Sequence, residues 1–259
     1  MNIIIYLKTT LKNQLWCWCM LVGILGLSGN VAANSGPGDF VAAAGKGQFS
    51  RVKAMLDEPG DKIGLAEKNA ALLAASQMGR DRIVEILLAA GAEIDTRSEQ
   101  GYTPLLLATR DDRPDVLQIL LAAGADKDAA SDDGMTAIMQ AAHRNRLEIL
   151  RVLIQTGADV HAATEEGVTA LMFAAQMGYQ VAVQELVRAK ADVNAQTQSG
   201  ATALMLAAQN GHQGATRSLL AAGADINTKA VNEATALFLA KKYQHTGVME
   251  LLIKAGAQK

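Results

Sequence analysis

Half of the 259 residues are apolar but only 4% are aromatic, so a core must be assembled from Ala, Leu, Val, Ile and Met; that suits thin helices in close contact and argues against a large ring-lined pocket. A formal net charge of −2 and a pI near 6.1 exclude a broadly basic nucleic-acid surface. Both cysteines, Cys17 and Cys19, lie in an N-terminal apolar run, so a chain cleaved behind it has no thiol for a disulfide framework, a zinc site or thiol catalysis.

Residues 1–33 have the layout of a secretory signal peptide. Lys8 and Lys12 precede an apolar run from Leu15 to Leu27, then Ser28, Gly29 and Asn30, and Val31-Ala32-Ala33 supplies small side chains for cleavage. The run is too short to span a bilayer, which takes roughly 20 apolar residues. An uncleaved anchor, helped by Ile3-Ile4-Ile5, is the alternative. Cleavage after Ala33 leaves 22 basic and 26 acidic residues, a net charge of −4. Asn34 to Gly38 reads as a short polar linker.

From Asp39 the chain is a repeat. The stretch 200–227, GATALMLAAQNGHQGATRSLLAAGADIN, is matched at 167–194 by GVTALMFAAQMGYQVAVQELVRAKADVN and at 134–161 by GMTAIMQAAHRNRLEILRVLIQTGADVH. A constant period of about 33 residues with this internal order means stacked helix-turn-helix units. Seven units are expected, at about 39–63, 64–96, 97–129, 130–162, 163–195, 196–228 and 229–259. The first has Ala42-Ala43-Ala44, a Gly47 corner and a second helix over Val52–Leu56, stopped by Pro59-Gly60. It lacks the turn signature, as an end unit can. Unit two carries Leu72-Leu73-Ala74-Ala75 and unit three the only full Thr-Pro-Leu, at Thr103-Pro104-Leu105. Units four to seven start their first helices at Thr136, Thr169, Thr202 and Thr235. Each Thr can cap the orphan amides of its helix. Paired apolar residues at Leu153-Ile154, Leu186-Val187, Leu219-Leu220 and Leu252-Ile253 mark the second helices. A glycine after each supplies the left-handed residue that ends it. Lys190 takes that glycine's place in unit five, and Asp112, Asn145 and Gln244 replace corner glycines. The second helix of unit six, with Gly214, Thr216 and Ser218, has poor helix propensity.

The Gly-x-Thr-(Pro/Ala)-Leu starts, the Ala-Ala pairs, the corner at Gly211-His212, the Leu-Leu pairs and the Gly-Ala-Asp-(Val/Ile)-Asn exits resemble those of ankyrin-repeat proteins. The resemblance spans residues 39–257. It implies an all-α ankyrin-repeat solenoid of about seven stacked units, curved, with short β-like turns along one edge. Residues 39–259 then form one ankyrin-repeat domain. The usual His after Thr-Pro-Leu is replaced here by Leu106, Met139, Met172, Met205 and Phe238.

Family contacts come from turn tips and the exposed inner-helix face. By register the tips are Glu67 and Asn69, then Glu99, Gln100 and Tyr102, then Asp132, Asp133 and Met135, then Glu165, Glu166 and Val168, then Gln198 and Ser199. The inner-face positions run from Gln77 and Met78 through Arg110 and Asp111, His143 and Arg144, Gln176 and Met177, and Gln209 and Asn210 to Lys242 and Tyr243. The expected partner-binding set is Glu99, Tyr102, Arg110, Asp132, Asp133, Met135, His143, Arg144, Glu165, Glu166, Gln176 and Met177. Acidic residues gather at the central tips, while Arg110, Arg113, Arg144 and Arg146 gather near the corners of the same units.

Little in the chain points to catalysis. His212 and His245 share the repeat position where the family's histidine is structural, and His143 and His161 have no partner at a metal-site spacing. Met139, Met172 and Met205, each one period from the next, fit packing between units better than a metal site. No cofactor and no metal is expected. The expected function is a non-catalytic scaffold of bacterial type, exported to the periplasm, binding a protein through its concave face and turn tips. It is expected to be monomeric, with no nucleic-acid role and no membrane contact after cleavage. Alternatives are a secreted effector acting on a host protein and an accessory of an exported peroxide-detoxifying enzyme, the latter suggested by resemblance alone.

Overall fold

The computed structural model describes residues 37–58 and 63–258. The expected signal peptide, residues 34–36 of the linker and the Pro59-Gly60 stop lie outside the described residues. Among those described, fourteen helices form seven pairs: α1 (Pro37–Gly45) and α2 (Phe49–Asp57), α3 (Leu65–Met78) and α4 (Asp81–Ala89), α5 (Pro104–Arg110) and α6 (Pro114–Ala122), α7 (Ala137–His143) and α8 (Leu147–Gln155), α9 (Ala170–Met177) and α10 (Gln180–Arg188), α11 (Ala203–Gln209) and α12 (Gln213–Ala221), α13 (Ala236–Lys242) and α14 (Thr246–Lys254). First helices pack on the first helices of adjacent units and on their own second helix, and second helices form a parallel row behind them. This is the expected solenoid of stacked helix-turn-helix units. The β-like turns reduce to two isolated antiparallel bridges among the described residues, Ala130 with Thr136 and Ala163 with Thr169.

A first helix has neighbours on three sides, so nearly all of it is buried, as with Ala137 to Ala142 in α7. A second helix has solvent behind it and buries a narrower stripe, as with Ile149, Leu150 and Leu153 in α8. Only the first member of each expected apolar pair is core. Leu153, Leu186, Leu219 and Leu252 are fully buried, while the next residue, turned about 100° round the helix, is partly exposed. The Ala pairs are buried, and so are Met139, Met172 and Met205, which fill the space between units. Phe238, at the same place in the last unit, is 53% exposed.

Thr103, Thr169, Thr202 and Thr235 cap as expected, each accepting from the amide three residues on. Thr136 does not; its buried hydroxyl has no partner. Asp112, Asn145 and Gln244 adopt φ of 59°, 56° and 59° in the corners, and Lys190 reaches 69°. Glu233 joins them at 62° where earlier turns have glycine.

Two boundaries differ from expectation. α1 begins at Pro37, inside the expected linker, in keeping with the preference of proline for the first helical turn. Glu67 and Asn69 are not turn-tip residues. They lie inside α3, whose 14 residues have no Gly or Pro to break the run. Asn69 instead accepts from the Glu93 amide and donates to the Glu93 carboxylate.

Three polar links recur between successive units. At the corner, Arg80 and Arg113 donate through Nε to the carbonyls of Gly45 and Gln77, and His212 and His245 through Nε2 to those of Gln176 and Gln209. At the exit, the carboxylate or amide oxygen of Asp95, Asp128, Asn194 and Asn227 accepts from the backbone of Asp126, Asp159, Asp225 and Gln258. At the turns, the amides of Asp132, Gln198 and Val231 donate to the carbonyls of Gln100, Glu166 and Ser199.

The junction between units four and five has none of the three. Tyr179 stands where Arg or His makes the corner link, and His161 where Asp or Asn makes the exit link. The Glu165 amide makes no bond to the Asp133 carbonyl. The turns also stand further apart there. A β-carbon on Gly134 would meet the Thr164 backbone at 3.5 Å, against 3.1 Å for Gly167 on Thr197 and 3.0 Å for Gly200 on Ala230. Packing holds this junction, together with an Arg151–Glu185 ion pair at 3.0 Å between α8 and α10.

Candidate interaction face

The turns lead into the N-terminal ends of the first helices and the corners follow their C-terminal ends, so residues one repeat apart form two rows, one at each end of the first helices. The tip row is acidic. Glu99, Asp132, Asp133, Glu165 and Glu166 are all exposed. Two are committed to their own turns, since Ser131 Oγ donates to Asp133 and Thr164 Oγ1 to Glu166.

The corner row carries the arginines. Arg110 lies over the Tyr102 ring, 5.2 Å from its centroid, and pairs with Asp111 at 2.9 Å. Arg144, half-buried on the next unit, has its basicity lowered, first by burial and then by the adjacent Arg110 charge; Asp111 and Tyr102 act in the opposite sense. Burial also lowers the His143 pKa, with Arg144 adding to the effect, and its ring meets Phe173 at 5.2 Å between centroids. Tyr102, Arg110, His143 and Arg144 thus form one cluster across units three and four. Met135 is half-buried in the tip row, while Gln176 and Met177 sit one unit further along, Met177 40% exposed. Nothing draws those two into the arginine cluster.

The structure separates the four arginines that the sequence groups together. Arg113 makes the corner link between units two and three. Arg146 turns to Asp112 at 2.9 Å, and its Nε is buried without a partner. Arg110 and Arg144 are the two on the face.

Gln140 is the residue that inspection by type overlooks. It is only 4% exposed, and both its amide nitrogen and oxygen lack partners. Equivalent positions hold Leu107, Phe173, Leu206 and Leu239. Aligning the units at the repeat step shows one glutamine in an apolar column, which is the signal that could have found it.

Among the described residues no group of three or more His, Cys, Asp or Glu side chains could hold a metal ion, and no helix is long and apolar enough to cross a membrane. An open groove of about 460 Å³ lies on the second-helix side, between α6 and α8.

A family model described as ankyrin repeats (three copies) matches residues 40–131, 115–197 and 180–259. The chain is similar to an ankyrin repeat domain from Acinetobacter baumannii known from a crystal structure at 1.00 Å resolution. Identity is 31%, the match covers 72% of this chain and 98% of that one, and the TM-score is 0.68. No curated protein matches this sequence.

Proposed function

This chain belongs to the ankyrin-repeat family, whose repeats generally mediate protein–protein interaction, and from that premise we propose that it is an exported, non-catalytic binding protein acting in the periplasm. Its partner docks across units three to five, over the tip and corner rows. One observation carries this reading: Tyr102, Arg110, His143 and Arg144 are gathered half-buried at the turn and first helices of units three and four. Side chains already ordered before binding lose less entropy on association. An aromatic ring and arginines, rimmed by exposed acids, have the make-up of an interface centre and its rim. The Lys8/Lys12, apolar and Val31-Ala32-Ala33 layout supports export.

The test is photo-crosslinking in fractionated cells, with the full chain tagged at its C-terminus and a photoreactive residue at Met177. The expected result is one crosslinked partner in the periplasmic fraction, attached to a chain that mass spectrometry shows cut after Ala33. The crosslink disappears with Tyr102→Ala. Recovery of the protein in the medium would move its site of action outside the cell, and a crosslink indifferent to Tyr102→Ala would move the binding face elsewhere.

A further inference from the structure

We propose that the junction between units four and five is a hinge, about which units one to four and units five to seven rock as two blocks while each block stays folded. The hinge stands on the structure alone; its bearing on the interaction face rests on the protein-binding reading above.

Apolar packing holds two surfaces together but has no direction, so it fixes their relative angle weakly. A hydrogen bond fixes that angle through its distance and alignment. Between units five and six, and between units six and seven, such bonds sit at the turns before the first helices, at the corners between the helices and at the exits behind the second helices. Fixing a unit at both ends of its first helix and again beyond its second resists turning in any sense. Every other joint in the stack keeps at least one of the three links, and the joint between four and five keeps none among the described residues. The Arg151–Glu185 pair does cross it, but that arginine is 51% exposed, and exposed pairs constrain geometry little.

The corner shows why this joint differs. Gly79, Gly178 and Gly211 each lie beneath the side chain that links to the next unit, and a β-carbon on any of them would come within 2.7 Å of Arg113, His212 or His245 respectively. At the two inner corners where Asp112 and Asn145 replace that glycine, the link is lost. After Asp112 the loss is made good, because Arg146 turns to its carboxylate at 2.9 Å and Arg97 donates to the Ala130 carbonyl across the same joint at 2.8 Å. After Asn145 comes Tyr179, which makes no such tie. The turns agree. A β-carbon on Gly101, Gly134, Gly167 or Gly200 would find the nearest backbone atom of the next unit at 2.8, 3.5, 3.1 and 3.0 Å, so the joint between four and five is the widest of the four.

The interaction face spans this hinge. Tyr102, Arg110, His143 and Arg144 belong to one block, Gln176 and Met177 to the other. Rocking leaves the hydrogen bonds inside each helix intact, as in other hinge and shear motions. The spacing between the two groups therefore changes without either block unfolding.

Distances between paired spin labels, measured by double electron–electron resonance on the full chain with no partner present, test the hinge. The labels are carried on a ketone-bearing amino acid, so Cys17 and Cys19 stay as they are. Three pairs each join the exposed last residues of second helices two repeats apart: Ala89 with Gln155, Gln155 with Ala221, and Arg188 with Lys254. Only the middle pair spans the junction of units four and five. Its distance distribution is expected to be about twofold wider than the other two. Asn145→Gly with Tyr179→His copies the pairing of Gly178 with His212, and His161→Asn restores the exit acceptor. The triple variant should narrow the middle distribution to the width of the others and leave those unchanged. His212→Ala with Asn194→Ala, which removes two links from the next joint, should widen the Arg188–Lys254 distribution.

Three equal widths in the parent chain would overturn the hinge. So would a middle distribution that stays wide in a folded triple variant, or an Arg188–Lys254 width indifferent to losing both links. None of these results touches the binding reading, which falls if the Met177 crosslink captures no partner; that failure in turn leaves the hinge standing.

Discussion

The junctions between units four and five and between units five and six share the same pairing of helices and the same period. They differ in how they are fastened. Between five and six, His212 reaches the Gln176 carbonyl, Asn194 receives the Asp225 amide and Gln198 bonds Glu166 across the turns. Between four and five all three links are missing, and unit four itself holds four of the six buried side-chain atoms without partners among the described residues. In a linear stack each interface contributes nearly independently, so the apolar repeat sets the architecture while a few polar identities decide how firmly each joint is held. The loosely fastened joint lies beneath the candidate interaction face.

The largest change should come from the unpaired amide. Gln140→Leu is expected to stabilise the chain by about 1–3 kcal/mol, the usual penalty of leaving a buried polar group unsatisfied; a urea midpoint that stays put or falls would show that the amide is satisfied in solution. Breaking the firm joint is next. His212→Ala removes its ring and orphans the Gln176 carbonyl, at an expected cost of about 1–2 kcal/mol by the same urea melt. Fastening the loose joint should gain less. His161→Asn restores an acceptor for the Asp192 amide and is expected to add about 0.5–1 kcal/mol, with slower hydrogen exchange at that amide as the local readout. Lys190→Gly, which frees the end of α10 from a left-handed conformation at φ 69°, should add roughly 0.5–1 kcal/mol.

The smallest effect is one of pH. Burial first, and then Arg144, lowers the folded pKa of His143 below its ordinary value of 6.5. The folded state therefore takes up its proton less readily than the unfolded chain. That contribution is fully present above 6.5 and declines as pH falls below it toward the folded value. Between about pH 7.5 and about pH 5.5, His143→Gln should lose less stability than the parent chain, and identical losses would mean that His143 titrates as in the unfolded state.

Much of this was legible in the sequence, because period and residue type are local properties. The seven units, the Thr caps at four of five starts, the methionine column and the strained positions Asp112, Asn145, Lys190 and Gln244 all follow from reading one unit against the next. What stayed hidden depends on which atom meets which between one unit and its neighbour. Arg113 and Arg110 look alike in sequence, yet one is spent on the Gln77 carbonyl and the other stands over Tyr102. Thr136 has the capping residue type but not the bond. Glu67 and Asn69 fall in helix because an uninterrupted run of helix formers outweighs repeat register. The unfastened joint was visible only in outline, as His161 and Tyr179 breaking their columns.

The central claim is that a protein partner binds over the first-helix edge of units three to five. Hydrogen exchange of the full chain, alone and with the partner recovered from the periplasmic crosslink, tests it most directly. The account predicts added protection in segments 98–111, 131–145 and 164–177, with α6, α8 and α10 unchanged. Protection confined to those second helices, or spread evenly over all seven units, would contradict it.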